Sequence, residues 1–321
     1  MLCWLFMLLG YNTNGMAHHS LFDAIRLLAD IGYQSVAITV DHHALSPKDP
    51  VLPHEMRRLR ALLDEVKMCS VIETGARYLL DVRTKHEPTL VSADPAERCR
   101  RVEFYKHAIR CAAELGSDCV SLWSGVVRDA APRDVATDRL LDGLRRVLDY
   151  AAGQGVNVGF EPEPDMLIGS MQQFDQLLER INSPNLRLTL DVGHLHCQRE
   201  LPVANYIRRW GRRIVNVHLE DMRAGSHEHL MFGEGEIKFP SVLTALAEIG
   251  YRGGLHVELS RHSHEAPDAA QRAYDFLHPI LKRIASKATE PTKPEAKKSV
   301  ARRSELRVAG RRGKAKEKDE G

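Results

Sequence analysis

The sequence predicts a (β/α)8 barrel, the TIM-barrel architecture, followed by a disordered basic C-terminal tail. Short apolar runs that end in polar residues alternate with amphipathic stretches along the chain. Eight such strand–helix units occupy about 280 residues, which is typical of this barrel. No Gly-x-Gly-x-x-Gly motif follows the first apolar run, and this disfavours a doubly wound open sheet.

The predicted elements are bounded by residues that typically start and end helices. Ser20 and Ser170 stand where N-caps belong, and Gly32 and Gly116 follow predicted helix ends. The predicted strands cover residues 8–12, 35–41, 69–74, 119–123, 156–161, 186–191, 214–219 and 255–259. The predicted helices cover residues 21–31, 54–67, 96–115, 134–154, 171–181, 203–212, 240–249 and 267–284.

The net charge of +2 for the 321 residues is a cancellation between two parts. Residues 286–321 carry a balance of +6, and the residues before them carry −4. The basic segment has no aromatic residue and cannot bury enough apolar surface to offset its ordering entropy. We therefore expect a barrel over residues 1–285 and a disordered tail over 286–321. The tail is interpreted as a solvated segment, with nonspecific contact to nucleic acid or another anionic surface as the alternative.

Cysteine usage and the absence of long apolar runs indicate a cytoplasmic protein. Six cysteines are scattered without a Cys-x-x-Cys pair, which favours free thiols over a disulfide framework or a zinc knuckle. No apolar run reaches the ~20 residues that a membrane span needs. The apolar start lacks a basic region and a small-residue cleavage site, so we expect no signal peptide. Met7 stays open as an alternative start.

Four consecutive predicted strands have one apolar and one polar face. Successive strand residues point to opposite sides, and the polar set is expected to face the barrel axis. The last polar residues of these strands are Glu161, Asp191, His218 and Glu258. Their spacings of 30, 27 and 40 residues each correspond to about one strand–helix unit. Because barrel active sites lie at the carboxyl ends of the strands, these four side chains are expected to converge.

Three carboxylates and one imidazole at one point favour a bound divalent cation. The carboxylates could not all stay ionised together without one. Oxygen-rich ligation with a single histidine favours Mn²⁺, Mg²⁺ or Co²⁺, and Zn²⁺ is compatible. Glu73 and Trp123 end the third and fourth strands on the same inward side, so we expect them to line the pocket. We expect the same of His42, which follows the second strand. The charged segment 74–88 is interpreted as a specificity lid.

Several segments resemble the xylose isomerase-like TIM barrels. They are Phe160-Glu161-Pro162, Leu190-Asp191-Val192-Gly193-His194, Val217-His218-Leu219-Glu220-Asp221 and Val257-Glu258. This group includes tagatose 3-epimerase, hydroxypyruvate isomerase, inosose dehydratase and the metal-dependent abasic-site endonucleases. The similarity covers about residues 8–284 and implies that Glu161, Asp191, His218 and Glu258 bind the metal. It also implies that Glu161 and Glu258 act as acid and base, through a metal-stabilised enediolate.

The same resemblance implies substrate contacts outside the metal ligands. His194 matches the histidine of the family's Asp-x-x-His motif and is expected to contact substrate or a second metal. Arg223 lies close to where the epimerases have a substrate-binding arginine. The segment His227-Glu228-His229 corresponds to an Asp-x-His of the endonucleases that binds further zinc, so His229 is a further site candidate and a second metal stays open.

The resemblance predicts an enzyme acting on a small carbohydrate, with three reactions open. The first is metal-dependent isomerisation or epimerisation of a keto-sugar. The second is metal-dependent dehydration or lysis of a keto-cyclitol or keto-glycoside. The third, zinc-dependent cleavage at abasic sites, is weakened because Trp123 stands where that branch supplies a metal-binding histidine. A homo-oligomer is compatible with the sequence, and no membrane partner is expected.

Overall fold

Eight parallel strands close into a barrel in the computed structural model, which describes residues 7–289. Around the barrel each strand pairs with its neighbour in the chain, and the last pairs with the first. The barrel strands are β1 (Leu8–Asn12), β2 (Ser35–Thr39), β3 (Cys69–Glu73), β4 (Val120–Leu122), β5 (Val158–Phe160), β6 (Leu186–Asp191), β7 (Ile214–Leu219) and β10 (Gly254–Val257). The predicted fold class is confirmed.

The helices follow the strands, as the periodicity predicts. Ser20 and Ser170 accept hydrogen bonds from backbone N–H groups in the first turns of their helices. Gly32 ends its helix at φ +116°, a left-handed conformation that favours glycine. The helices are α1 (Leu21–Ile31), α2 (Leu52–Val66), α3 (Pro95–Leu115), α4 (Arg133–Gln154), α5 (Met171–Arg180), α6 (Val192–Cys197), α7 (Val203–Trp210), α8 (Phe239–Glu248) and α9 (Ala266–Thr289).

Two elements at the mouth of the barrel were absent from the prediction. One is the short helix α6, which directly follows β6. The other is an antiparallel hairpin of β8 (Asp221–Arg223) and β9 (Ser226–Leu230), inserted between β7 and α8. Neither has the length or the apolar alternation that identifies an element from sequence: α6 has six residues, all of them buried, and the strands of the hairpin have three and five.

The polar faces of the strands point toward the barrel axis. His256 of β10 contacts Asn216 of the adjacent strand β7 and Ser35 of β2 inside the barrel. His218 is the register partner of Asp191 on one side and of His256 on the other. This register places the chemically active side chains of neighbouring strands at one level.

Helix α9 runs to Thr289, and so includes the first residues of the expected tail. Residues 290–321, the rest of that expected tail, lie outside the described residues. Within residues 7–289 we find no helix with the length and apolarity needed to cross a bilayer.

Candidate active site

Four side chains from neighbouring strands meet at the carboxyl end of the barrel. Asp191 ends β6 and His218 lies near the end of β7, while Glu161 and Glu258 directly follow β5 and β10. One ligand atom from each lies within 4.8 Å of those from the other three. His218 Nδ1 is 2.9 Å from Glu161 Oε1, 2.9 Å from Glu258 Oε2 and 3.7 Å from Asp191 Oδ2. The structure therefore brings together the four residues selected from the strand pattern, which we call the acidic cluster.

The Glu73 carboxylate contacts the His218 ring on the side away from Glu161 and Glu258. The Nε2 atom of His218 lies 2.9 Å from Oε1 of Glu73, the last residue of β3. Because an ionised carboxylate can only accept, Nε2 carries the proton and donates it in this hydrogen bond. Nδ1 is then the nitrogen available to a metal ion. Such a partner fixes the tautomer of a metal-binding imidazole and raises its basicity.

A buried column of hydrogen-bonded side chains, formed by Asn216, His256 and Ser35, supports Glu73 from inside the barrel. Asn216 Nδ2 donates to Glu73 Oε1 at 2.9 Å, and its Oδ1 accepts from His256 Nδ1 at 2.8 Å. His256 Nε2 then accepts from Ser35 Oγ at 2.9 Å. Burial, with the charge of His218, lowers the pKa of His256 to about 3, so this ring is neutral. The column therefore holds Glu73 and the His218 ring in one arrangement.

Protons and charges are unevenly distributed over the acidic cluster. Burial raises the pKa of Glu161 to about 8, although His218 partly offsets the effect. Burial alone would lower the pKa of His218, but Glu161, Glu73 and Glu258 raise it well above its usual range. The His218 imidazolium also outweighs burial at Glu258 and holds the pKa of that carboxyl below its usual range. Without a cation, His218 and Glu161 therefore hold protons near neutral pH.

Asp191 shows that a divalent cation fits the acidic cluster. Its Oδ1 accepts from the backbone N–H of His194 at 2.7 Å and so caps α6. Burial would raise the pKa of Asp191, but His194 and His218 lower it, so the carboxylate is ionised. Its Oδ2 is buried and has no hydrogen-bond partner. Imidazole nitrogens of His194 and His218 lie 3.6 and 3.7 Å from this oxygen, beyond hydrogen-bond distance. A cation beside it would supply the missing partner.

Three imidazoles form a second cluster beside the first. His194 comes from α6, and His227 and His229 come from β9; one ring nitrogen of each lies within 4.8 Å of the other two. His194 Nε2 is 3.1 Å from His227 Nε2 and 3.8 Å from Glu163 Oε2. Burial lowers the pKa of His194 to about 4 and also lowers that of His227. The neutral rings of His194 and His227, together with His229, can hydrogen-bond to the hydroxyl groups of a ligand or hold a second cation.

Two acidic residues near the cluster were missed by the sequence analysis. Glu163 lies two positions after Glu161 and lines the cleft, and burial raises its pKa well above the usual range. Glu220 is completely buried, and neither of its carboxyl oxygens has a hydrogen-bond partner. Burial and the charge of Asp191 raise its pKa well above the usual range. Glu220 lies two positions after His218 and therefore shares its inward-facing side of the chain. The alternation along β7 could have identified it.

The acidic cluster opens into a cleft of about 330 Å³. Glu73, Trp123, His194 and His229, which the sequence pointed to, all line it. The loop between β3 and α3 contributes Gly75, Arg77, Lys85 and His86 to one wall, and its role as a lid stays a prediction. Residues that sequence reasoning did not place in the cleft are Asn12, Asn14, Thr39, Glu163, Ser260 and Arg261.

A buried arginine anchors the β3–α3 loop and Trp123 together. Arg101 of α3 is fully buried, and its Nη2 donates to the carbonyl oxygen of Thr74 at 2.7 Å. Its guanidinium carbon lies 4.7 Å from the ring centre of Trp123 and 4.6 Å from that of Tyr105. Stacking on these aromatic faces partly replaces the hydration that the cation loses. The guanidinium thus joins the loop to the aromatic wall.

Two predicted site residues lie outside the cleft. Arg223 is exposed and donates from Nη2 to the carbonyl oxygen of Glu234 at 2.9 Å. The chain turns into the β8–β9 hairpin directly after β7, and this directs Arg223 away from the acidic cluster. His42 is also exposed and does not line the cleft. The expected wall position of His42 is therefore wrong, and the expected substrate contact by Arg223 stays a prediction that its position outside the cleft does not support.

Comparison with known families agrees with this geometry. The model of the xylose isomerase-like TIM barrel family matches residues 25–280. The chain belongs to this family. The resemblance seen in the strand-end segments is thereby confirmed, and the protein is an enzyme of the xylose isomerase-like superfamily.

Individual relatives share about a quarter of their residues with this xylose isomerase-like protein. An uncharacterized protein from Methanocaldococcus jannaschii is 28% identical over 234 residues, covering 66% of this chain and 78% of that protein. L-ribulose-5-phosphate 3-epimerase UlaE from Salmonella paratyphi C is 26% identical over 257 residues, covering 79% of this chain and 88% of that protein. The crystal structure of a D-tagatose 3-epimerase-like protein has a TM-score of 0.71 at 24% identity, covering 88% of this chain and 100% of that one.

Proposed function

We propose that the protein is a divalent-metal-dependent epimerase or isomerase of a small keto-sugar. The observation that carries this proposal is the meeting of Glu161 and Glu258 with Asp191 and His218 at the floor of a polar cleft. The epimerase named among the relatives supports the same reaction class.

The two glutamates are the proposed acid and base. Glu161, Asp191, His218 and Glu258 would hold the cation, which when bound supplies Lewis-acid polarisation of a carbonyl and an adjacent hydroxyl. One glutamate takes the proton from the carbon next to the carbonyl. Return of a proton by the second glutamate to the opposite face of that carbon gives an epimer. Return to the carbonyl carbon, with the adjacent hydroxyl proton passing to the former carbonyl oxygen, gives an isomer.

The cleft walls favour a hydroxyl-rich ligand. The neutral imidazole of His194 and the ring of His229 are proposed to hydrogen-bond to its hydroxyls, and Trp123 offers an apolar face. Two cations of the cleft already pair with acids: Arg77 with Asp41 at 3.2 Å, and Arg261 with Glu228 at 2.7 Å. A terminal phosphate would have to compete with these pairs, so free and phosphorylated ketoses should be compared.

Proton exchange with deuterated water tests the proposal directly. The Mn²⁺-loaded protein is incubated with L-ribulose, L-ribulose 5-phosphate or D-tagatose, and deuterium next to the carbonyl is followed by NMR. We expect exchange in the wild type and a loss of at least about 100-fold in Glu258→Gln and Glu161→Gln. Glu97→Gln, which changes an exposed side chain of α3, is the matched control. If no ketose exchanges with the wild type, the proposed reaction is wrong.

The two alternatives from the sequence predict different products. A dehydratase or lyase starts with the same proton abstraction but then eliminates a substituent, so an ultraviolet-absorbing enone accumulates. The three-imidazole cluster is the observation that favours an additional cation, as an abasic-site endonuclease would need. The enone product distinguishes the dehydratase or lyase from the epimerase. Metal analysis distinguishes the endonuclease, because the proposed epimerase needs one ion per chain and the endonuclease two or three.

A further inference from the structure

Asn14, in the loop after β1, hydrogen-bonds to one member of the acidic cluster. Its Nδ2 donates to Oε1 of Glu258 at 2.7 Å. The other oxygen, Oε2, lies 2.9 Å from His218 Nδ1 and faces the centre of the cluster. The two oxygens of this carboxylate therefore have different partners, and the rotation of the carboxylate plane is restricted.

The orientation of the Asn14 amide follows from the charge of its partner. An ionised carboxylate only accepts hydrogen bonds, so the NH₂ group must face Glu258. The amide oxygen, Oδ1, is buried and has no hydrogen-bond partner. A turned amide would place that oxygen against the carboxylate and lose the hydrogen bond. The donor role of Asn14 is therefore the arrangement that the site permits.

The backbone of Asn14 is held from three directions. Its N–H donates to Asn12 Oδ1 at 3.0 Å. Its carbonyl oxygen accepts from Arg77 Nη2 at 2.6 Å and from Ser263 Oγ at 3.2 Å. Arg77 belongs to the β3–α3 loop, and its Nη1 also pairs with Asp41 at 3.2 Å. The end of β1 and the loops after β3 and β10 thus hold the backbone of Asn14 beside Glu258.

We propose that Asn14 is a positioning residue that keeps Glu258 Oε2 directed at the centre of the acidic cluster. Arg77 extends this function to the β3–α3 loop, so that the seating of the loop affects the geometry of the cluster. The inference rests on the proposed function in one respect, the binding of a cation by the cluster. Hydrogen bonds behind metal ligands commonly change metal affinity or activity by about 10–100-fold.

Mn²⁺ binding by the full chain tests the inference without a known substrate. The dissociation constant is measured from the EPR signal of free Mn²⁺ for the wild type, Asn14→Ala and Asn185→Ala. Asn185 is the matched control, since its Nδ2 donates at 2.9 Å to the Val156 carbonyl oxygen at the opposite end of the barrel. We expect Asn14→Ala to bind Mn²⁺ about 10–100-fold more weakly, with its melting temperature close to that of the control. Arg77→Gln should weaken binding in the same direction but less.

The outcomes separate this inference from the proposed function. Equally tight Mn²⁺ binding by the wild type and Asn14→Ala overturns the positioning role alone. A wild type that binds none of Mn²⁺, Mg²⁺, Co²⁺ and Zn²⁺ overturns both. Should Asn14→Ala not fold, Asn14→Ser is used, since its shorter side chain cannot reach Glu258 Oε1. With an active ketose, Asn14→Ala should need a higher Mn²⁺ concentration for half-maximal activity, a shift that a smaller folded fraction would not produce.

Discussion

Glu73 acts through His218, because its carboxylate accepts the Nε2 proton and leaves Nδ1 for the cluster. Glu73→Gln keeps an acceptor at this position but removes the charge that makes the ring more basic. We expect Mn²⁺ affinity to fall about tenfold, measured by competition with a chelator, while Glu97→Gln stays at the wild-type value. A Glu73→Gln protein with unchanged affinity would show that the hydrogen bond, and not the charge, orients the ring.

Individual site residues could be predicted only as far as strand alternation determines them. The acidic cluster was predictable because its members end or directly follow neighbouring strands. The position of Glu73 was predicted, but its contact with His218 was not, because β3 and β7 are not paired in the sheet. The contact between Asn14 and Glu258 spans 244 positions and left no local signal.

Helix α6 depends on the close approach of its backbone to a buried carboxyl group. A methyl group on Gly193 would collide with Oε1 of Glu220. Because Gly193 and Glu220 are both buried, Gly193→Ala should lower the free energy of unfolding by about 1–3 kcal/mol. It should also weaken Mn²⁺ binding, since Asp191 caps this helix.

Gly153 provides the matched control for this substitution. It lies near the end of α4, and a methyl group there would contact nothing within 4 Å. Gly153→Ala should therefore raise the free energy of unfolding by about 0.5–1 kcal/mol. Urea titration measures both variants. Equal effects at the two glycines would mean that the Glu220 carboxyl group moves aside easily.

The β3–α3 loop provides a second prediction for an element. Arg101→Met removes the donor to the Thr74 carbonyl oxygen and should lower the free energy of unfolding by about 1–3 kcal/mol. Trypsin should then cut the loop faster at Arg83 or Lys85. Arg100→Met changes an exposed neighbour on the same helix and is the control. Equal cleavage rates in the two variants would contradict an anchoring role for Arg101.

Elements were predictable where one face packs on the core, and not where the cleft interrupts that pattern. The barrel strands and long helices carry apolar periodicity, and capping residues such as Ser20 mark their starts. Helix α6 and the β8–β9 hairpin instead present polar side chains to the cleft. Arg223 lies outside the cleft for the same reason, because a count of residues from β7 does not include the hairpin that follows.

At the scale of the whole molecule, the free energy of unfolding of the metal-free chain should depend on pH, because buried acidic residues in and beside the cleft hold protons. Burial raises the pKa of Glu161 to about 8 and those of Glu163 and Glu220 well above the usual range. Their stabilising effect is complete below the unfolded pKa of about 4.3 and is lost as pH rises through the folded values. His194 and His256, with pKa values lowered to about 4 and 3, contribute in the opposite sense. Their effect is present above about pH 6.5 and is lost in more acidic solution.

Between pH 6.5 and 8 the raised carboxyl groups therefore dominate, and the metal-free chain should become less stable as pH rises. Each such group contributes on the order of 1 kcal/mol per pH unit over this range.

Saturating Mn²⁺ should reduce the decline, because the cation stabilises the ionised carboxylates and binds more tightly as the ligands lose protons. Glu220→Gln should reduce the decline without metal, since it removes one of these groups. Melting temperatures at several pH values, with EDTA or Mn²⁺, measure both effects. A metal-free melting temperature that stays constant or rises from pH 6.5 to 8 would mean that the cleft carboxylates are ionised without a cation.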